Sequence, residues 1–475
     1  MDIQLNTIVG LTLFALYSIS IVSLIIVVLL ENRNPLKTIP WVIVLLLLPG
    51  VGLIFYFVFG QDNRRQRIIS RRTYKRIMRP LYATPVQDRC AVEPPCRPLV
   101  RLLNRNHRNP LLYGSGLSVY TRGADKFDAL LEEIGRARHH IHLQYYIFDG
   151  DATGRRVQQA LIDKARAGIR VRVIYDDVGS WHAKNTFFAE MRKAGIQVYP
   201  FLRVAFPVLT SKVNYRNHRK IVVIDGRVGF MGGMNIADRY IHGTPLGPWR
   251  DTHFKITGKG VHGLQSAFLI DWYVISKELV KGREYYPSEK IYSDNILQIV
   301  ASGPAGLWRT LVQAFLFCIM NARNYLYIQT PYFLPTEDLN QALQTVALGG
   351  VDIRLMIPER SDSRMVNMAS RSFLADMVKA GVKVYFYKPG FLHSKLLVTD
   401  DALACIGSAN FDFRSFEHNF EVNAFVYQAS FACRMKEMFL DDMTQCEQLV
   451  PAHWLKRPVL RRLAESFMRL FSPLL

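Results

Sequence analysis

The sequence predicts an α/β protein made of two tandem copies of one strand-and-helix unit, carried behind a two-helix transmembrane hairpin. Three observations predict it: a histidine-containing segment written twice, short β-type runs that recur at a near-constant offset, and two long uncharged apolar stretches at the N-terminus.

The N-terminal stretches are Ile8 to Leu30 and Ile39 to Phe59. At about 1.5 Å per helical residue, either can cross a hydrocarbon layer of ~30 Å. MDIQLN lacks Lys and Arg and the apolar run after it is long, which argues against a cleavable signal peptide. The link Glu31 to Thr38 is short, so the spans should form a hairpin, with a kink at Pro49-Gly50. Asn63 to Pro80 then carries Arg64, Arg65, Arg67, Arg71, Arg72, Lys75, Arg76 and Arg79 without an acid, against Arg33 and Lys37 beside Glu31 in the hairpin link. The basic flank should stay in the cytoplasm, and everything after it too. Each basic residue there contributes about 1 kcal/mol toward an anionic headgroup surface. Residues 1–62 thus form the hairpin, and 63–99 a basic juxtamembrane segment with a Pro-rich linker from Thr84 to Pro98.

The repeat fills the rest. IHLQYYIF from Ile141 parallels LYIQTPYF from Leu326, AGIRVRVIY from Ala167 parallels GGVDIRLMI from Gly349, and AGIQVYPF from Ala194 parallels AGVKVYFY from Ala380. Helical patterns precede the strands, so helices should cover both sheet faces. The halves are expected at about 100–290 and 291–475. In the tail, Val459, Leu460, Leu463, Phe467, Leu470 and Phe471 recur at helical spacing, with Arg461, Arg462 and Arg469 mostly elsewhere. That is a basic amphipathic helix, suited to a membrane interface or to packing on the domain.

The doubled segment carries the chemistry. Asn217 to Asn235 reads NHRKIVVIDGRVGFMGGMN, and Leu392 to Asn410 reads LHSKLLVTDDALACIGSAN. His218, Lys220, Asp225, Gly232 and Asn235 correspond in register to His393, Lys395, Asp400, Gly407 and Asn410. His and Lys two apart on a β-type run project to one face. A neutral imidazole can attack phosphorus while the ammonium beside it neutralises phosphate oxygens. Asn235 and Asn410 can donate amide hydrogens to the same oxygens. Two facing sets would supply a nucleophile and a general acid. Each imidazole needs a group that fixes its tautomer; the expected pairs are Asp251 with His218 and Glu421 with His393. Asp225 and Asp400 complete the catalytic signature, but each follows a strand, where a structural salt bridge or turn bond is the expected role.

These residues resemble a known family. H-x-K-x4-D-x6-G-[GS]-x-N is the HKD signature of the phospholipase D superfamily. NRNPLKTIPWVIVLLLLPGVGLIFYFVFG, QYYIF at Gln144, SGPAG at Ser302, QTPYFLP at Gln329, the RSFEHNFE run and the terminal SPLL resemble its bacterial cardiolipin synthase family over nearly the full length. The resemblance implies two phospholipase D-like α/β sandwiches forming a pseudo-dimer with the site at their seam. It implies phosphatidyl transfer between two phosphatidylglycerol molecules, giving cardiolipin and glycerol. One histidine (by family precedent His218) would form a phosphohistidine and His393 would protonate the departing alcohol. The expected location is the bacterial inner membrane, multi-pass, with cytoplasmic catalytic domains. A hydrolytic phospholipase D, a membrane-tethered nuclease and a non-enzymatic lipid-binding protein are the alternative readings.

Composition bounds the partners. A formal charge of +21 over 475 residues demands an anionic surface, and the apolar spans favour anionic lipid over nucleic acid. Six scattered cysteines show no zinc spacing and suit a reducing compartment. His139, His140 and His142 sit on a strand-like run as core or surface residues. No Walker A or dinucleotide fingerprint is present, so no cofactor and no metal are expected.

Overall fold

The computed structural model describes residues 2–30, 35–56, 69–82, 92–107, 109–183, 185–202, 215–288, 293–304 and 308–474. The hairpin link around Arg33, the basic residues Arg64, Arg65 and Arg67, and the linker stretch 84–91 with Cys90 lie outside them.

The chain forms two compact units. The N-terminal one holds the helix Asp2–Leu30, whose segment Thr7–Leu30 is long and apolar enough to cross a membrane. The second expected span is broken: helices Pro35–Leu47 and Pro49–Phe55 are separated at Leu48 (φ −128°, ψ 64°). Pro49 clashes with a helical conformation of the residue before it, so the anticipated kink becomes a helix boundary.

The larger unit holds two sheets with the same strand order. One runs Gly116–Tyr120, His253–Thr257, Val228–Gly232, Ile221–Ile224, His140–Tyr145, Arg170–Asp176, Gln197–Phe201. In the other, Ile296–Ser302, Glu421–Val426, Leu403–Gly407, Leu396–Thr399, Tyr325–Gln329, Asp352–Pro358 and Lys383–Tyr387 take the equivalent places. The parallel and antiparallel pairings match strand for strand. The second sheet gains Leu112–Tyr113 and Cys446–Gln448 at its edges. Leu112–Tyr113, expected in the first half, therefore completes the sheet of the second.

Both faces of the central strands are buried, which is why they read as continuous apolar runs. Ile221 and Val223 point into a core that also contains Leu396, Val398 and Val422 of the other sheet, with Phe268 and Trp272 of helix Gly260–Ser276 and Phe431, Met435 and Phe439 of helix Ala429–Met443. Val222 and Ile224 point into the outer core of the first half. The helix Arg71–Tyr82 seats Ile77, Met78 and Leu81 in the shared core and leaves Arg71, Arg72, Lys75, Arg76 and Arg79 exposed. His140 and His142 are buried core groups bridged by Gln265.

Candidate active site

Each histidine stands just before a strand, because its backbone pairs with the opposite half. The His218 N–H donates to the Phe420 carbonyl at 2.9 Å, and the His393 N–H to the Arg250 carbonyl at 2.7 Å. Strand Phe391–Leu392 runs parallel to Trp249–Arg250 in the same seam. The residue after each acceptor is a carboxylate, Glu421 or Asp251, and the seam thereby sets it against the histidine.

His218 Nδ1 lies 3.0 and 3.1 Å from the Glu421 oxygens, and His393 Nδ1 lies 2.6 Å from Asp251 Oδ2. The expected pairing within each half is therefore wrong: the carboxylates are exchanged between halves. A carboxylate accepts at Nδ1, so each imidazole carries its hydrogen there and its lone pair at Nε2. Glu421 also accepts from Asn419 Nδ2 at 3.2 Å and from the Ser408 hydroxyl. Asp251 accepts from the Thr252 N–H at 2.7 Å.

Lys220 Nζ donates to the His218 carbonyl at 2.7 Å; Lys395 Nζ donates to the His393 carbonyl and lies 3.0 Å from His393 Nδ1. Each ammonium is on its histidine's side of the backbone, as expected from the two-residue spacing. Burial pushes both imidazoles down to about 4, and each also feels both lysines. Burial takes Lys395 down to about 8 and Lys220 well below its ordinary value, with Glu421 opposing the shift at both. Burial works to raise Asp251 and Glu421, but Lys395 and His393 outweigh it at Asp251, and His218 and Lys220 at Glu421; both carboxyls end below their ordinary range. At neutral pH the site therefore holds two neutral imidazoles and two carboxylates. A bound phosphodiester anion raises imidazole basicity, and an imidazole that is to protonate a leaving group should draw its proton from solution on binding. Calorimetry at pH 7 with a non-hydrolysable phosphodiester analogue, in buffers of different ionisation enthalpy, should report uptake of roughly one proton; no uptake would contradict protonation of an imidazole on binding.

The motif aspartates are turn anchors rather than catalytic groups. Asp225 and Asp400 sit at φ 54° and 52° in the hairpins after the strands. Asp225 accepts from the N–H groups of Arg138, His139 and His140, and Asp400 from those of Arg323, Asn324 and Tyr325. They lock each hairpin to the start of the neighbouring strand. Asn235 Nδ2 donates to the Tyr240 hydroxyl at 2.6 Å while its Oδ1 accepts from the Ile147 N–H. Asn410 Nδ2 donates to Asp412 at 3.1 Å. Each buried amide thus commits one of its two hydrogens to a protein acceptor.

Two ion pairs escaped sequence reasoning. Arg219 grips Asp271 with both contacts at 2.6 Å and donates to the Glu421 carbonyl at 3.0 Å. Arg250 grips Asp442 at 2.9 and 2.7 Å and donates to the Asp251 carbonyl at 2.8 Å. Each pair holds the backbone of a histidine-orienting carboxylate. Gln144 donates to Asp271, and Gln329 to Asp442. The glutamine repeated in QYYIF and QTPYFLP was the available signal.

Gly233 faces Ser408 across the repeat for a steric reason. A Cβ at Gly233 would fall 2.1 Å from Asp251 Oδ1, whereas the longer Glu421 leaves room for the serine. Gly233→Ser should displace Asp251 by about 1 Å and cost about 10²-fold in kcat, with the melting temperature little changed. Steady-state kinetics beside thermal melts checks it.

Comparison with known proteins gives the family and the fold. Residues 130–244 and 315–443 match the family described as cardiolipin synthase, PLD-like domain, and 15–61 match the phospholipase D-nuclease N-terminal family. The chain is 41% identical over 467 residues to a cardiolipin synthase of Geobacillus kaustophilus, covering 97% of this chain and 93% of that protein. It is 37% identical to the major cardiolipin synthase ClsA of Bacillus subtilis, covering 97% and 98%. The crystal structure of phosphatidylserine synthase from Haemophilus influenzae shares the fold, with a TM-score of 0.59 and 15% identity over 79% of this chain and 98% of that one.

Proposed function

The chain belongs to the cardiolipin synthase family of phospholipase D-like proteins, and on that premise we propose that its paired histidines transfer a phosphatidyl group between two phosphatidylglycerol molecules. The observation that carries this reading is the exchanged pair of imidazole–carboxylate contacts, which leaves an Nε2 lone pair on each buried histidine, each with a lysine beside it.

His218 Nε2 attacks phosphorus and the P–O bond to glycerol breaks. His393, protonated as the anion binds, gives its proton to the departing alkoxide. The terminal hydroxyl of a second phosphatidylglycerol then gives its proton to His393 and attacks the phosphorus, releasing His218 and forming cardiolipin. One phosphodiester replaces another, so the cycle balances without a nucleotide. Lys220 and Lys395 neutralise the non-bridging oxygens, and the remaining amide hydrogens of Asn235 and Asn410 donate to them. The nucleophile is assigned to the first motif by the family resemblance.

The same reading puts the chain in the inner membrane as a multi-pass protein: residues 1–62 as a hairpin, the segment 63–99 at the cytoplasmic headgroups, and lobes at about 100–290 and 291–475 in the cytoplasm. The exposed arginines of Arg71–Tyr82 support that orientation. Product analysis from labelled phosphatidylglycerol in detergent micelles with excess chelator tests the chemistry. Cardiolipin and glycerol in equal amounts are expected; phosphatidic acid as the main product would make the protein a hydrolase, and loss of activity restored by a divalent ion would sink the two-histidine mechanism.

A further inference from the structure

The helix Val459–Arg469 is amphipathic, and its polar side is the one packed against the protein. Glu465 is 2% exposed and meets Arg457 at 2.8 Å and Arg461 at 3.4 Å. Arg469 meets Asp376 at 3.5 Å and lies over the Phe373 ring. Val459, Leu460, Leu463, Phe467 and Leu470 face outward, Leu460 at 80% and Leu463 at 63% exposure. At 3.6 residues per turn they fall in a single stripe. An amphipathic helix on a soluble domain turns such a stripe inward; here the buried Arg457–Glu465 pair holds it out.

We propose that this stripe inserts into the interface of an anionic bilayer, a second membrane contact separate from the N-terminal helix. Its surroundings select that occupant. Lys456, Arg461 and Arg462 are exposed beside it, and Glu465, the one acid between Pro451 and Leu475, is buried. The rim is therefore cationic. A second copy docked on the same stripe would set cation against cation, whereas anionic headgroups complement the rim while acyl chains receive the leucines. The contact would hold the lobes at the surface that supplies the lipid substrate, a consequence that rests on the proposed chemistry.

The full chain in nanodiscs of phosphatidylglycerol and phosphatidylcholine provides the test, with Cys90, Cys433 and Cys446 replaced by serine and a bimane label at Leu463→Cys or at the exposed control Gln341→Cys. Nitroxide-bearing acyl chains should quench the label at position 463 several-fold more than that at 341. Equal quenching, or efficient disulfide cross-linking between two chains through Leu463→Cys, would overturn the proposal. A variant combining Leu460→Ser, Leu463→Ser and Phe467→Ser keeps the packed polar face. It should lose about tenfold activity on bilayer phosphatidylglycerol while keeping its activity on dihexanoyl phosphatidylglycerol; equal loss on both substrates would assign the stripe to folding instead. Quenching needs no turnover, so failure of the chemistry would leave that arm readable.

Discussion

His218→Ala should lose roughly 10⁴-fold or more in transfer, whatever the leaving group, because no other side chain replaces a nucleophile. His393→Ala should lose a similar factor with phosphatidylglycerol, whose alkoxide leaves only with a proton. With a phosphatidyl p-nitrophenol substrate, whose leaving group needs none, His393→Ala should regain most of its rate of phosphohistidine formation. Burst-phase release of nitrophenol, with acid-quench detection of a labelled enzyme adduct, reads both variants. Rescue of His218→Ala instead would transfer the nucleophile to His393. Burial sharpens the contrast, since both imidazoles are pushed down to about 4 and are neutral as the substrate arrives.

The reactive set was legible because chemistry imposed it twice: His218, Lys220 and Asn235 recur in register as His393, Lys395 and Asn410. The central strands Ile221–Ile224 and Leu396–Thr399 were legible for a related reason, since both are buried on both faces and read as continuous β-type runs. What stayed hidden depends on how the lobes meet. Asp251 and Glu421 lie at similar distances downstream of their own histidines, and nothing local says which loop docks where. The seam bonds from His218 to Phe420 and from His393 to Arg250 decide it. The ion pairs Arg219–Asp271 and Arg250–Asp442 were hidden in the same way, the latter joining residues from opposite halves. The tail helix was readable as amphipathic, but its orientation follows from Glu465 finding Arg457 across a turn of chain.

Because of the exchange, Glu421→Gln should behave like a mild His218 variant and Asp251→Asn like a mild His393 variant. A carboxamide of similar shape can donate to Nδ1, which moves the ring hydrogen to Nε2 and removes the lone pair that must attack or collect a proton. Such tautomer loss costs about 10³- to 10⁴-fold in a hydrolase triad. The expected pattern is loss in both variants with phosphatidylglycerol, and recovery with the nitrophenyl substrate for Asp251→Asn alone. Pairing within each half would give the opposite recovery, making the leaving-group series a solution test of the crossed contacts. The Ser408 and Asn419 bonds to Glu421 predict a further asymmetry. They hold the Glu421 carboxylate in place from two more sides, so Glu421→Asp, which shortens the reach to His218, should keep the fold yet recover little activity. Asp251 is held by one backbone N–H beside its histidine, and a Cβ added at Gly233 would lie 2.1 Å from its carboxylate, so in the first half it is the residue facing the acid that must stay small. Acid and neighbour are thus matched in each half, Asp251 with Gly233 and Glu421 with the hydrogen-bonding Ser408.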